Sequence, residues 1–416
     1  TVLMYFLYNI LTNLILIISP FFFIFRVFKS KEDPKRVLEK FCIYSKRSIK
    51  NKVWIHATSV GELMSIIPII KKFEKDRKVN SIILTTTTAS SAKLFKKLKF
   101  KKTFHIYFPL DNNYLTLRFL KYWQPKLAIF VDSEIWPNMF KNLETNQVPI
   151  IILNARITKK TFNKWKLVSF FSKNIFNKFN LCLPSNFETK RYLNILGAKN
   201  IKFIGNIKYS QSENSSKKIG SELRKFISKK KVWCASSTHP TEEIFCGLVH
   251  KALKKKYKNI LTIIIPRHIN RTSEIKSDLN KLNLKIHTHE PKKKIEDNID
   301  VYLVNSYGQT KSFYSKCKNI FLGGSIINHG GQNPLEATRY GCNILHGPNV
   351  SNFNEIYNHL KKMNISSQIN NKKTMINRLE KFFSSKKNFK KIQAKLKYTG
   401  LKILNSTYNE IKLIIH

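Results

Sequence analysis

The chain has 416 residues, of which 42% are hydrophobic, so neither a single small core nor a disordered polyelectrolyte fits and two packed domains are expected. Lys and Arg number 75 against 25 Asp and Glu, a net charge of +50 that by itself points to nucleic acid or an anionic membrane. Only 12 of those cations are Arg, and Lys, Asn and Ile crowd the whole chain as AT-biased codons would dictate, so part of the charge is compositional bias.

From Val2 to Phe25 the sequence runs 24 residues without a charge, and Arg26, Lys29 and Lys31 come immediately after. The length suits a helix that spans a bilayer or lies deep in one leaflet, and the trailing cations favour a cytoplasmic location for the remainder of the chain. Asn9, Thr12, Asn13 and Pro20 interrupt the run, which leaves a monotopic anchor and a full span equally open. After a basic connector, β-rich runs alternate with helical stretches. Val53–Ala57 reads as a strand, Leu63–Phe73 as a helix, and Ser81–Leu84, Leu127–Val131, Pro149–Leu153 and Asn180–Leu183 as further strands. This alternation is the pattern of a doubly wound parallel sheet. Between Tyr209 and Lys231 the composition turns to Ser, Lys and Glu, a domain boundary. A second series then begins, with strands at Val232–Ala235, Ile260–Ile265, Val301–Val304, Asn319–Leu322 and Asn343–Leu345, and then basic amphipathic helices from Lys372 onward. The fold class is therefore α/β, two Rossmann-like doubly wound domains facing a cleft, with an N-terminal anchor helix. The boundaries are 1–28 for the anchor, 29–209 and 232–416 for the domains, and 210–231 for the linker.

Chemistry-bearing residues fall where these strands end. Ser59-Val60-Gly61-Glu62 comes after the first strand and opens a helix, so the helix terminus should keep Glu62 ionised, as a general base requires. Asp132 and Glu134 sit two residues apart after Leu127–Val131, ahead of Trp136-Pro137. Asn154-Ala155-Arg156 adds an Arg at the same edge, and Gly205-Asn206-Ile207-Lys208 brings a cation able to neutralise a phosphate leaving group. In the second half, Ser237-Thr238-His239 ends one strand and Pro266-Arg267-His268 the next, with Arg267 suited to an anion. Gly323-Gly324-Ser325 and Gly330-Gly331-Gln332-Asn333-Pro334-Leu335-Glu336 supply a glycine-rich entry to a helix, with Pro334 at its first position and Glu336 placed to accept from ribose hydroxyls. Scattered histidines and six isolated cysteines give neither a metal site nor a disulfide framework, and no basic-aromatic nucleic-acid module is present.

In order and spacing these blocks, together with Pro109-x-Asp111, Glu134-Ile-Trp-Pro-Asn138, Leu196-Gly-Ala198 and Pro266-Arg-His-x-x-Arg271, resemble the 3-deoxy-D-manno-octulosonic acid (Kdo) transferases over nearly the whole chain. The resemblance implies a GT-B glycosyltransferase without metal or other cofactor. It would move Kdo from CMP-Kdo to a lipid A precursor, lipid IVA, with inversion, at the cytoplasmic face of the bacterial inner membrane. The anionic membrane is then a partner and nucleic acid is not. The same resemblance makes residues 29–209 the acceptor domain and 232–416 the CMP-sugar domain. It also makes Glu62 the general base, puts Asp132 where the family has the first Glu of E-T-E-x-W-P-N, and gives Lys208 the support of the transition state. The CMP site would comprise Pro266, Arg267, Tyr307, Gly308, Gln309, Asn333, Pro334, Leu335 and Glu336. Asp132, Gln309 and Gln332 depart from the usual family residues. A GT-B enzyme using another nucleotide sugar is the alternative.

Overall fold

In the computed structural model the apolar runs of the first half become β1 (Lys52–His56), β2 (Ser81–Thr86), β3 (Thr103–Tyr107), β4 (Pro125–Val131), β5 (Ile150–Ala155) and β6 (Leu181–Pro184). They pair in parallel in the order β3-β2-β1-β4-β5-β6, with Ile55 between Leu84 and Ile129. Helices cover both faces, which is why Ile82–Leu84 and Leu127–Val131 are apolar without alternation and are buried throughout. β3 has no clear signature in the sequence, because its Thr-Phe-His-Ile-Tyr alternates polar and apolar side chains directly after a lysine-rich stretch.

The second half contributes β7 (Lys231–Thr238), β8 (Ile260–Pro266), β9 (Ile286–Thr288), β10 (Val301–Leu303), β11 (Asn319–Leu322), β12 (Asn343–His346) and β13 (Ser366–Gln368). Their order is β13-β12-β11-β7-β8-β10-β9, again parallel. In each sheet the first strand lies inside, and the strand order reverses beside it, at β1/β4 and β7/β11. Loops leaving the carboxyl ends at such a reversal diverge and open a crevice.

Residues 2–45, 52–211, 219–289, 294–384 and 389–415 are described. The chain divides into a unit of Thr1–Ser212 with Tyr398–His416 and a unit of Glu213–Lys397. Two boundaries differ from expectation. Of the expected linker 210–231, residues 212–218 lie outside the described residues, but Ser221–Ser228 is a helix that buries Leu223, Phe226 and Ile227 in the second unit. The terminal helix Phe389–Ile415 does not stay with the second unit. Ile403, Leu404, Tyr408 and Ile411 pack on Ile66, Ile70 and Phe73 of the first, and Tyr408 Oη donates to Asp76 Oδ2 at 2.6 Å.

That returning helix presses on the segment that carries Lys208. A Cβ on Gly400 would lie 2.3 Å from the Tyr209 carbonyl oxygen and 3.1 Å from Ser210 Cα, both backbone and unable to yield. Gly400→Ala should therefore destabilise by about 1–3 kcal/mol, read as a lowered thermal midpoint. Gly220→Ala, with no atom within 4 Å of the added carbon, should leave the midpoint unchanged.

The anchor is one helix, Val2–Phe28, long and apolar enough to cross a bilayer. Its polar residues do not interrupt it at random. Tyr5, Tyr8, Thr12, Ser19 and Phe23 recur at helical spacing and face the first unit, with Tyr5 edge-on to Phe171 and Phe23 edge-on to Phe41. The opposite face exposes Leu3, Phe6, Leu7, Ile10, Leu14, Ile17, Phe21 and Phe25. Near its end Arg26 and Lys40 both donate to the buried Glu32, each at 2.9 Å.

Candidate active site

Glu62 enters the structure through a cap. Ser59 is the N-cap of helix Val60–Lys75, its Oγ accepting from Glu62 N at 3.2 Å. The Glu62 carboxylate turns back to accept Thr58 N at 2.7 Å and Ser59 Oγ–H at 3.2 Å, a capping-box arrangement displaced by one residue. The expectation that the helix terminus keeps this group ionised does not hold. Burial, reinforced by the negative charges of Glu134 and Asp132, pushes its carboxyl up to about 7 against the two donors.

Asp132 stands at the end of β4 with φ 58°, in the left-handed region that short polar side chains tolerate. Its Oδ1 accepts from Asn154 Nδ2 at 2.6 Å and its Oδ2 from Lys208 Nζ at 3.3 Å. Asn154 Oδ1 in turn accepts Ile207 N at 3.0 Å, so this one amide ties the ends of β4 and β5 to the Gly205–Lys208 segment. Within the first unit the fold thus brings Glu62, Asp132 and Lys208 to one carboxyl edge. Asn154 is the residue that sequence reasoning undervalued: the Asn-Ala-Arg block stood out for its Arg.

Glu134 is held by a chain of donors. Trp136 Nε1 donates to its Oε2 at 3.0 Å, and His56 Nε2 lies 3.4 Å from the same oxygen. An ionised carboxylate only accepts, so Nε2 carries the proton and Nδ1 accepts from the Thr85 hydroxyl at 2.9 Å, whose oxygen takes the Trp54 indole N–H at 2.9 Å. Burial lowers the His56 pKa and keeps the ring neutral, while hydrogen bonds from His56, Thr58 and Trp136 outweigh burial and hold Glu134 below its ordinary value. Glu134 is therefore a fixed negative charge that adds to burial in raising the Glu62 carboxyl.

In the second unit the remaining expected residues gather at the carboxyl edge of β8, β10 and β11. Pro266 ends β8, and Arg267 is exposed just beyond it, with its N–H on the Thr238 carbonyl at 3.0 Å. Tyr307 is exposed, Gly308 turns at φ 80°, and Gln309 begins the helix Thr310–Tyr314. Pro334 is the N-cap, not the first turn, of a helix only five residues long, Leu335–Arg339. Asn333 Oδ1 accepts Leu335 N at 3.1 Å, and Glu336, expected to face ribose, has Oε1 3.5 Å from Lys311 Nζ. The His239 and His329 rings pack with their centroids 4.3 Å apart. Burial first, then the neighbouring His329, His268, Arg267 and Arg271, lowers the His239 pKa to about 4, so it is neutral beside cations.

The signal missed here is Glu242, three residues past His239. Fully buried, it accepts four backbone N–H groups: His239 at 3.0 Å and Gly324 at 2.7 Å on Oε2, Ser325 at 3.1 Å and Ile326 at 3.0 Å on Oε1. One carboxylate thereby fixes the Gly323–Ser325 turn against the end of β7. Among the described residues no group of three His, Cys, Asp or Glu is arranged to hold a metal ion, and all six cysteines are buried and free.

Two parallel-sheet Rossmann-like units, each with its polar groups at the carboxyl edge, are the architecture of GT-B glycosyltransferases and of related nucleotide-sugar enzymes. UDP-GlcNAc 2-epimerase from Neisseria meningitidis, solved bound to UDP-GlcNAc, is similar with a TM-score of 0.58 at 13% identity, over 87% of this chain and 100% of that one, a likeness of fold alone. The sequence profile described as 3-Deoxy-D-manno-octulosonic-acid transferase (kdotransferase) matches residues 35–211. The 3-deoxy-D-manno-octulosonic acid transferase of Haemophilus influenzae is 29% identical over 94% of this chain and 93% of its own, and that of Rickettsia bellii 31% identical over 90% of each. The chain belongs to the 3-deoxy-D-manno-octulosonic acid transferase family, and is a glycosyltransferase.

Proposed function

We propose that the enzyme transfers Kdo from CMP-Kdo to a sugar hydroxyl of a lipid A precursor, lipid IVA, with inversion at the anomeric carbon. Glu62 removes the hydroxyl proton as the oxygen attacks that carbon, and the bond to the CMP phosphate oxygen breaks with its electron pair leaving on CMP. Lys208, held by Asp132, supports the charge that develops, and Arg267 meets the CMP phosphate. With cations in those places the reading needs no metal. The observation that carries it is the gathering of Glu62, on its capped helix at the reversal of the sheet, with Asp132 and Lys208 at one carboxyl edge, where burial raises the Glu62 carboxyl to about 7.

The seating of the anchor helix favours a place in one leaflet, and the cations Arg26, Lys29 and Lys31 that follow its apolar run favour the cytoplasmic face. Its contacts with the first unit run from Tyr5 to Phe23, about 27 Å of helix at the usual rise. A helix crossing the bilayer with those contacts intact would draw the first unit into the hydrocarbon, where its polar backbone could not go. Lying in the interface, it buries its outer face in lipid and leaves the unit in water.

Incubation with CMP-Kdo and lipid IVA should yield a lipid heavier by one or more Kdo residues in a mass spectrum, and CMP should raise the thermal midpoint where UDP does not. Protection by UDP alone, with no Kdo-bearing lipid, would assign the fold to another nucleotide sugar.

A further inference from the structure

Helix Pro137–Thr145 begins without a cap of its own, since Trp136 in the N-cap position makes no side-chain cap bond. Its first-turn N–H groups are met from a remote part of the sequence. Asn138 N donates to Asp111 Oδ2 at 3.1 Å and Met139 N to Asp111 Oδ1 at 2.8 Å, while the Asn138 side chain returns to the Asp111 carbonyl at 2.9 Å. A carboxylate across two first-turn N–H groups satisfies orphan donors and complements the positive end of the helix. The third donor to this carboxylate comes from the anchor: Tyr8 Oη gives its proton to Oδ2 at 2.7 Å. Beside it Asn112 Nδ2 donates to Asn13 Oδ1 at 2.7 Å, and Asn138 Nδ2 lies 3.4 Å from Thr12 Oγ1.

The capped helix is the one that starts directly after Glu134-Ile135-Trp136, and Trp136 is at once its N-cap residue and the indole donor to Glu134. Any change in how the first turn is held moves the residue that orients Glu134. Asp111 is buried, with donors converging from the anchor helix and from the turn, so losing either leaves a carboxylate that water cannot satisfy without opening the site.

We propose that Asp111 is a positioning residue which, by capping helix Pro137–Thr145 while holding Tyr8 of the anchor helix, makes the seating of that helix a condition for placing Glu134 beside Glu62. The anchor is then part of the catalytic scaffold, more than a tether. The inference rests on Glu62 as the base. The charged and titratable groups facing Glu62 are Glu134 and Asp132, with His56 on the former and Lys208 on the latter.

The test uses the full chain on vesicles of phosphatidylethanolamine and phosphatidylglycerol. Tyr8→Phe removes one hydroxyl and keeps the ring. It should lower kcat about three- to tenfold, leave the donor KM unchanged, and move the acidic limb of the kcat profile to lower pH as Glu134 recedes from Glu62. Asp111→Asn should act in the same direction and more strongly. Leu14→Ser, on the outer face, should weaken vesicle sedimentation and yet, with acceptor dispersed in detergent, retain wild-type kcat and an unmoved limb. Wild-type kcat and limb in Tyr8→Phe would overturn the proposal, as would losses in Tyr8→Phe and Asp111→Asn that merely track a lost folded fraction with the limb unmoved. Should Glu62→Gln stay active, the base assignment itself fails; an inactive Glu62→Gln beside a wild-type Tyr8→Phe refutes the coupling alone.

Discussion

Replacing Glu62 by Gln is expected to lower turnover by about 10²- to 10⁴-fold, the usual contribution of a general base, while CMP binding stays at the wild-type level. Gln keeps an oxygen to accept the Thr58 N–H and matches the protonated Glu in charge, but it has no ionised form that could take a proton. In the wild type, activity should rise with pH through about 7, because the carboxyl is protonated and useless as a base below that point and ionised above it. The sign for stability is opposite. The folded value, about 7, lies above the ordinary 4.5, so this group's stabilising contribution is complete below 4.5 and disappears as pH rises through about 7. Glu62→Gln removes a buried charge at alkaline pH and should melt there no lower than wild type. A Glu62→Gln enzyme with wild-type turnover, or a pH profile flat across neutrality, would refute the assignment.

The strand ends were legible in the sequence, and with them Glu62 and Asp132, because a doubly wound sheet puts the loops after its strands on one edge; Lys208, which follows helix Phe187–Ile195 instead of a strand, stood out only through the resemblance. The charge state of Glu62 was not, because a helix terminus is a local property, whereas the burial and the two like charges that override it come from segments distant in sequence. For the same reason His56 stood out only as one of several histidines without metal-ligand spacing: its role depends on Glu134 and Thr85, each on another strand or loop. Asp111 was visible as part of a block but not as a helix cap, since the helix it caps starts at Pro137 and a cap is normally sought next to its helix. The terminal helix 389–415 has an apolar stripe that fits a core without naming which core, and the close approach at Gly400 became evident only in three dimensions.

Asp132 and Lys208 offer the other large effect, and the two variants should move the acidic limb in opposite directions. Asp132→Asn leaves the backbone undisturbed, since Asn accepts φ 58° as readily as Asp, and keeps a polar contact for Asn154. It removes the charge set against Lys208 at 3.3 Å and one of the two charges that raise Glu62, so the limb should shift to lower pH while kcat falls roughly tenfold or more. Lys208→Met takes away the cation instead. Asp132 then acts on Glu62 undiminished, the limb should move to higher pH, and kcat should fall about 10²-fold as charge on the departing group loses its partner. The side chains of this pair are 17% and 13% exposed, so solvent screens them little and the shifts should be measurable. Asp132→Glu retains the charge and should leave the limb near its wild-type position. Its longer side chain suits the left-handed backbone less well, so some stability is lost without the activity that Asn forfeits. Should Asp132→Asn prove mild and Glu134→Gln severe, the catalytic carboxylate of this turn is Glu134. Limb shifts of the same sign in Asp132→Asn and Lys208→Met would instead show that one of the two does not act on Glu62 through its charge.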